Sequence, residues 1–473
     1  MQNHLSLVKD VRGCMTRFDP LTPEIVAEQS GDGLTYEELK AILDSCGMSI
    51  DKVVFDGTRA FQNAFYADFE QGHYCWIPFQ KAGLEDVIRT MDQHFRSPVF
   101  GAARCNHEWA TFYSMDVPLP MQIYDFERRY KQIEPDQVFS VWCAIHTRID
   151  YANGMWDPEV LNYVFSHAPQ TDLPETDQDG VITIYRGIGE KSQPLEHAIS
   201  WTTDPVCALW FANRSARGTG LMYAKVRPEQ ILAYNPGYRG EHEVILRPGV
   251  IPKVQYAEMI PSTYDHVPKL LAPVTKDFFY FGSTAVTLGY PEEGLFQYHG
   301  IKHILRVLLL TLLYSHHSGD PLSEEDKQIL IYFSLLHDIG RDNEDEDATH
   351  GDRSVELIRT KNIRIKGIHL SKKGYRIAKL LIRHHCREDE IGLERVCKVP
   401  GLSFCDMKRA SRLYQIAKDM DGLDRVRFNG LDFRYLRTPY ARKLPLIAGG
   451  LLEEPLLDCV NRYREGKLEV SDV

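Results

Sequence analysis

The chain has ten cysteines but no Cys-x-x-Cys pair, which leaves neither a zinc ribbon nor a dithiol redox motif. Its scattered cysteines are expected to be buried, reduced thiols of a cytosolic compartment. Basic charge is not in excess: the formal net charge is −11, so the chain has no global footprint for gripping phosphate backbones, and bulk nucleic-acid binding is excluded. The first twenty residues carry no basic flank followed by an apolar core, hence no cleavable signal. The most apolar run, Ile304 to Tyr314, is too short to span a bilayer and contains Arg306. Internal repeats and low-complexity tracts are missing as well. A soluble, cytoplasmic-type protein without a membrane partner is expected, a description equally compatible with delivery into a host cytosol by a dedicated secretion machine.

What is present is length and ordinary composition. The 473 residues exceed one core, so two or three domains are expected. Hydrophobic residues at 43% and charged residues at 26% are typical of folded protein. Residues 1–100 carry helical patterning, with Thr35 and Glu38 in the form of a capping box, and are expected to form a helical region for packing or partner binding. Residues 120–180 also read as mostly helical. From Val181 the pattern changes: Val181 to Tyr185, Gly220 to Val226 and Glu243 to Leu246 read as strands, with a short helix from Asp204 to Asn213. Residues 263–290, with Pro268 and Pro273, look like a connector, and the remainder is helical. The expected organisation is 1–100, 101–262, 263–290 and 291–473. The fold class is α+β, a mixed α/β domain followed by an all-α domain.

Two sets of chemistry-bearing residues stand out. In the mixed domain, Tyr185-Arg186-Gly187 is followed by Ser200-Trp201-Thr202-Thr203 and by Glu241-His242-Glu243. Cleaving nicotinamide from ribose passes through an oxocarbenium-like sugar, so such a site needs a carboxylate near the developing charge and a cation for pyrophosphate. Arg186 ends a strand, and Gly187 lets a ligand approach the backbone. Ser200 and Thr202 offer hydroxyls, and Glu241 and Glu243 should face one side of an extended segment.

These residues resemble the Arg-Ser-Glu arrangement of mono-ADP-ribosyltransferases related to cholera-type toxins, over roughly residues 130–260. The resemblance implies that Arg186 holds the phosphate and ribose of NAD, the co-substrate, with Gly187, Ser200 and Thr202 lining its site. It implies that Ser200 positions Glu243, that Glu243 stabilises the oxocarbenium ion, and that Glu241 handles the acceptor. A Glu-x-Glu pair in this family implies an arginine acceptor on a protein substrate. The short span between Arg186 and Ser200 leaves little room for a long intervening helix.

The second set is His299, His303, His337-Asp338, His350, His384-His385 and Asp421. Imidazoles and carboxylates together suit first-row divalent metals, and such sets can bridge two of them. His299 and His303 are spaced by one helical turn; the other residues fall at helix ends. The runs His299 to Val307, Leu336 to Arg341 and Lys418 to Arg425 resemble the HD superfamily of metal-dependent phosphohydrolases, over roughly residues 295–430. On that resemblance His303, His337, Asp338 and Asp421 are the core metal ligands. His299, His350, His384 and His385 are candidates for a second metal or for phosphate. The metal could be manganese, iron, zinc, nickel or magnesium. The Gly-Tyr-Pro signature of cyclic-dinucleotide hydrolases is missing after His385, where Cys386-Arg387-Glu388 stands. His316, His317 and His369 read as packing residues, and Asp342 to Asp347 as a solvated loop.

Together the two sets imply a bifunctional enzyme, an NAD-dependent transferase fused to a metal phosphohydrolase. The pairing is similar in kind to that of SidE-type bacterial effectors, in the opposite order and with no deubiquitinase segment. An uncoupled toxin or antiphage module that hydrolyses free nucleotides is the alternative, as is a scaffold protein with one inactive centre.

Overall fold

The computed structural model describes residues 18–56, 63–97, 99–149, 156–189, 192–214, 217–235, 240–292, 298–345 and 347–469. Its strands are β1 (Phe18–Pro20), β2 (Val53–Asp56), β3 (Asn63–Asp68), β4 (His73–Ile77), β5 (Ile182–Gly189), β6 (Ser200–Thr202), β7 (Gly218–Val226), β8 (Ile231–Asn235), β9 (Glu243–Leu246) and β10 (Val254–Tyr256). The chain divides into two units, each drawn from three stretches. One comprises Met1–Ile182, Lys191–Trp201 and Val226–Pro252; the other comprises Thr183–Glu190, Thr202–Lys225 and Lys253–Val473.

In the first unit β1 to β4 form an antiparallel sheet in sequence order. Val53, Phe55, Ala64, Tyr66 and Cys75 enter one apolar cluster, whereas Val54, Phe65, Ala67 and Tyr74 enter another. That alternation is the two-residue repeat of a strand. The first cluster is closed by Leu39 and Leu43 of α1 (Tyr36–Ser45) and by Leu84 and Ile88 of α2 (Leu84–Phe95). The second is aromatic, with Phe139 and Trp142 of α3 (Val138–His146) and Phe165 of α4 (Pro158–Ser166). Residues 1–100 are therefore not simply helical, although the Thr35–Glu38 capping box forms as expected. A sheet covered on both faces yields continuous apolar runs such as Val53-Val54-Phe55, which carry no polar alternation to reveal them. The hairpin of β8 and β9 pairs Asn235 with Glu243 and places Ala233 and Ile245 in the aromatic cluster.

In the second unit β10 pairs antiparallel with β7, and Tyr185 of β5 pairs with Thr202. The expected helix appears as α5 (Pro205–Asn213), capped by the Asp204 side chain. Residues 263–290 are not a bare connector. They form the short helix Val267–Leu271 and α6 (Thr275–Val286), and Phe278, Phe279 and Phe281 enter the main core. Pro268 lies in the first turn of its helix, where a missing N–H costs nothing. The rest is built on α7 (Ile301–His317), α8 (Glu324–Leu336), α9 (His350–Thr360), α10 (Lys372–His384) and α11 (Phe404–Leu423). Ala208, Leu209, Ala212 and Leu221 complete the same core from far earlier in the chain.

Among the described residues no helix is long and apolar enough to cross a membrane. Cys46 and Cys75 are buried, but Cys105 and Cys405 are exposed, so the thiols are not uniformly interior.

Candidate metal centre

Five helix termini of the second unit bring the histidines together. α7 begins at Ile301 after its cap Gly300, which puts His303 in its first turn, fully buried. α8 starts from the capping box of Ser323 and Asp326 and ends with His337 as its C-cap, followed by Asp338. Close packing fixes α9 next to that corner. A Cβ on Gly340 would collide with the backbone of Arg353 and Ser354, and one on Gly351 with the carbonyls of Ile382 and Arg383 on α10. Gly340 N donates to Ser354 Oγ at 2.9 Å, and that hydroxyl donates to His337 O at 2.7 Å. His350 opens α9, His385 caps α10, and Asp421 lies near the end of α11 with Asp424 as its cap.

The imidazoles form two pairs. His303 Nε2 lies 3.1 Å from His337 Nε2, and His350 Nε2 lies 2.9 Å from His385 Nε2. Asp338 serves both: Oδ2 is 3.6 Å from His303 Nε2 and 3.8 Å from His337 Nε2. Its Oδ1 is 3.1 Å from His350 Nε2 and 3.4 Å from His385 Nε2. Asp421 Oδ1 adds to the first pair at 3.5 and 3.7 Å.

The opposite ring nitrogens decide what these pairs can be. Nδ1 of His337, His350 and His385 meets the carbonyl of Ser334, Asp347 and Ile382 at 3.2, 2.6 and 2.7 Å. A carbonyl only accepts, so each Nδ1 carries a hydrogen, and in a neutral ring that leaves Nε2 as the bare nitrogen facing inward. His303 Nδ1 likewise faces Asp424 Oδ2 at 2.7 Å. Lone pairs facing each other at about 3 Å repel unless a cation or a proton lies between them, and second-atom anchoring of this kind is how metal-binding histidines are oriented. The donor set fits divalent metal, and three groups of its His, Asp and Cys atoms are close enough to hold an ion.

Burial opposes charge on His385, yet Asp338 and Asp421 raise it above its ordinary value. Burial pushes His337 down to about 4, against the pull of Asp338 and Asp421. Burial also opposes charge on Asp338, yet His337, His350 and His385 hold its carboxyl well below the ordinary range. Asp424 is buried too, and the Arg306 guanidinium, with His303 and Arg427, keeps it charged far below the usual carboxylate range. Arg306 donates through Nε to Asp424 Oδ1 at 2.6 Å, and Arg427 donates to Oδ2 at 2.6 Å.

Not every candidate histidine joins. His384 is on the far side of the α10 terminus: its carbonyl accepts from Tyr414, and burial with Arg387 nearby pulls its ring down to about 4. His299 precedes α7 rather than sharing a face with His303, and its Nδ1 bonds Glu344 Oε2 at 2.5 Å. The rings of His299 and His303 are still 5.7 Å apart. Asp424, Arg306 and Arg427 escaped the sequence reading as site residues, since nothing in their spacing separates them from an ordinary charged helix end.

The other set is divided between the units. In the first, Ser200 Oγ donates to Glu243 Oε1 at 2.5 Å. Burial pushes Glu243 up to about 7, Ser200 pulling it down and Glu241 raising it. β9 starts only at Glu243, because His242 has a left-handed φ of 49°. The two glutamates therefore do not alternate along one extended segment as expected. In the second unit Arg186 is half-buried on β5, and desolvation pulls its guanidinium down to about 10. The bare Cα of Gly187 is approached by the backbone of α5, where a Cβ would collide with Ala208 and Ala212. Thr202 Oγ1 accepts from Asp204 N at 2.9 Å, at the start of the same helix.

A family model described as HD domain matches residues 300–426, the stretch that contains His303, His337, Asp338, His350, His385, Asp421 and Asp424. This part of the chain is an HD domain, and the class it suggests is metal-dependent phosphohydrolase. No curated protein and no solved structure matches the chain.

Proposed function

We propose that the chain is a bifunctional enzyme, a metal-dependent phosphohydrolase joined to an NAD-consuming mono-ADP-ribosyltransferase that acts on a protein. The observation that carries the first half is the pair of histidine pairs sharing Asp338, with each Nδ1 anchored so that a neutral ring presents Nε2 to the centre. His303, His337, Asp338 and Asp421 would hold one cation, and His350 and His385 with Asp338 a second. Divalent cations there supply Lewis acidity toward a phosphoryl oxygen and lower the pKa of water. The residues themselves fix the donor directions and, through Asp424, keep the His303 ring oriented. Metal analysis and a phosphodiesterase assay on Asp338→Ala test this half. Loss of both metal and turnover is expected; unchanged metal content and turnover would refute it.

The transferase half is supported by the Ser200–Glu243 hydrogen bond, which is the contact the resemblance calls for. Glu243 would stabilise the oxocarbenium ion, and Glu241 would serve an arginine acceptor. Release of nicotinamide by the wild type and its loss in Glu243→Gln is the expected result; equal release by both sinks this half. The two activities would be consecutive. ADP-ribose on a target contains a pyrophosphate, and adding one water across it yields AMP and a phosphoribosyl-protein. Mass spectrometry of the target after incubation with NAD distinguishes phosphoribose from intact ADP-ribose, which an uncoupled hydrolase of free nucleotides would leave in place.

A further inference from the structure

Behind Glu243, inside the first unit, lies a histidine that no motif marked. His146 ends α3 and is 6% exposed. Its Nε2 is 4.0 Å from Glu243 Oε1, the oxygen that Ser200 also holds. The other nitrogen, Nδ1, accepts from Trp156 Nε1 at 3.1 Å. An indole nitrogen can only donate, so Nδ1 must be bare and the neutral ring carries its hydrogen on Nε2. Trp142 stacks on the imidazole with centroids 4.6 Å apart, which holds the ring plane. Glu243 itself is 6% exposed, and its Oε2 has no hydrogen-bond partner among the described residues. Around this carboxyl stand Ser200, Glu241, Cys143 and His146. Of these four only His146 presents an N–H and can become a cation.

We propose that His146 is a positioning residue for Glu243, its tautomer set by Trp156 so that Nε2–H closes on the carboxylate when Glu243 ionises. The proposal rests on the transferase reading for its consequence but not for its geometry. A carboxyl in this setting is ionised only with difficulty, burial raising it toward neutrality. One hydroxyl is a weak counterweight, whereas a second, imidazole donor favours the charged form that an oxocarbenium ion requires. Cys143, on the same helix, offers no such help: burial, with Glu243 beside it, holds its thiol protonated.

Two measurements on the full chain decide it. The first is NMR of the protein carrying 15N-labelled histidine, with His146→Gln identifying the resonance. An Nε2–H tautomer is expected, lost or mixed in Trp156→Phe, and the His146 pKa should fall in Glu243→Gln because a facing carboxylate is gone. An Nδ1–H tautomer, or a His146 pKa indifferent to Glu243→Gln, overturns the proposal. The second is nicotinamide release against pH. In His146→Ala the midpoint of the rise should move up by about one pH unit. KM for NAD should stay unchanged, and His146→Gln, which keeps an N–H, should recover most of the shift. A uniform drop in rate without a moved midpoint would mean that His146 only supports the fold. If the wild type releases no nicotinamide, the transferase reading falls, and the NMR result still decides whether His146 is coupled to Glu243. Should His146→Ala fail to fold, Trp156→Phe and Glu243→Gln answer the tautomer question without it.

Discussion

The two oxygens of Asp338 face different histidine pairs, so this residue is where a single substitution should remove the most. Asp424 touches neither pair's inward nitrogens; it holds His303 Nδ1 and takes Arg306 and Arg427 on its other sides. Asp424→Asn should therefore weaken metal binding by about ten- to a hundredfold without abolishing it, as titration with metal would read out. Its carboxyl lies below its ordinary value in the folded state, so its contribution to stability is present above about pH 4 and is lost as pH falls through the lowered value. Glu243 behaves oppositely. Its folded-state value of about 7 lies above the ordinary 4.5, so its neutral form stabilises the fold below 4.5, and that contribution disappears as pH rises through about 7. Over that window thermal stability should fall while nicotinamide release climbs, and Glu243→Gln should flatten both curves. The candidate ligand residues stand out in sequence because histidine and aspartate recur at the ends of apolar helices. His146 does not, for a lone histidine among aromatic residues reads as packing until its neighbours in space are known.

Elements differ in how plainly they announce themselves. α8 could be read directly, its capping box and apolar stripe agreeing. β2 and β3 could not, since Val53 to Asp56 and Ala64 to Asp68 are buried whichever face they take. Residues 263–290 misled through Pro268, which begins a helix rather than interrupting a chain. Backbone proximity was equally hidden. Gly351 lies where the α10 carbonyls leave no room for a Cβ, one residue from His350. Gly351→Ala should cost about 1–3 kcal/mol through overpacking and displace His350, lowering both the unfolding temperature and the metal content. Ser323→Ala, at the far end of α8, should cost about 1 kcal/mol and leave metal content alone. Loss of metal from both variants, or from neither, would contradict the distinction.

For the molecule as a whole, the sequence reading placed domain borders at points along a line, whereas the units alternate along the chain. Its mixed segment was correctly sensed from strand-like runs, but periodicity carries no information about which strand joins which core. Ala208, Leu209, Ala212 and Leu221 belong to the core of the helical unit, although they lie well before Lys253. A fragment from Lys253 onward keeps every candidate metal ligand yet lacks these four side chains. It should melt at lower temperature than the full chain, or fail to stay in solution; native-like melting and full metal content would show that the early segments are dispensable.

That alternation bears on descent. A gene built from two finished domains in tandem can trade either one in a single crossover. Here any exchange point between residues 183 and 252 falls among stretches owed to different units, and the recombinant would inherit two mismatched cores.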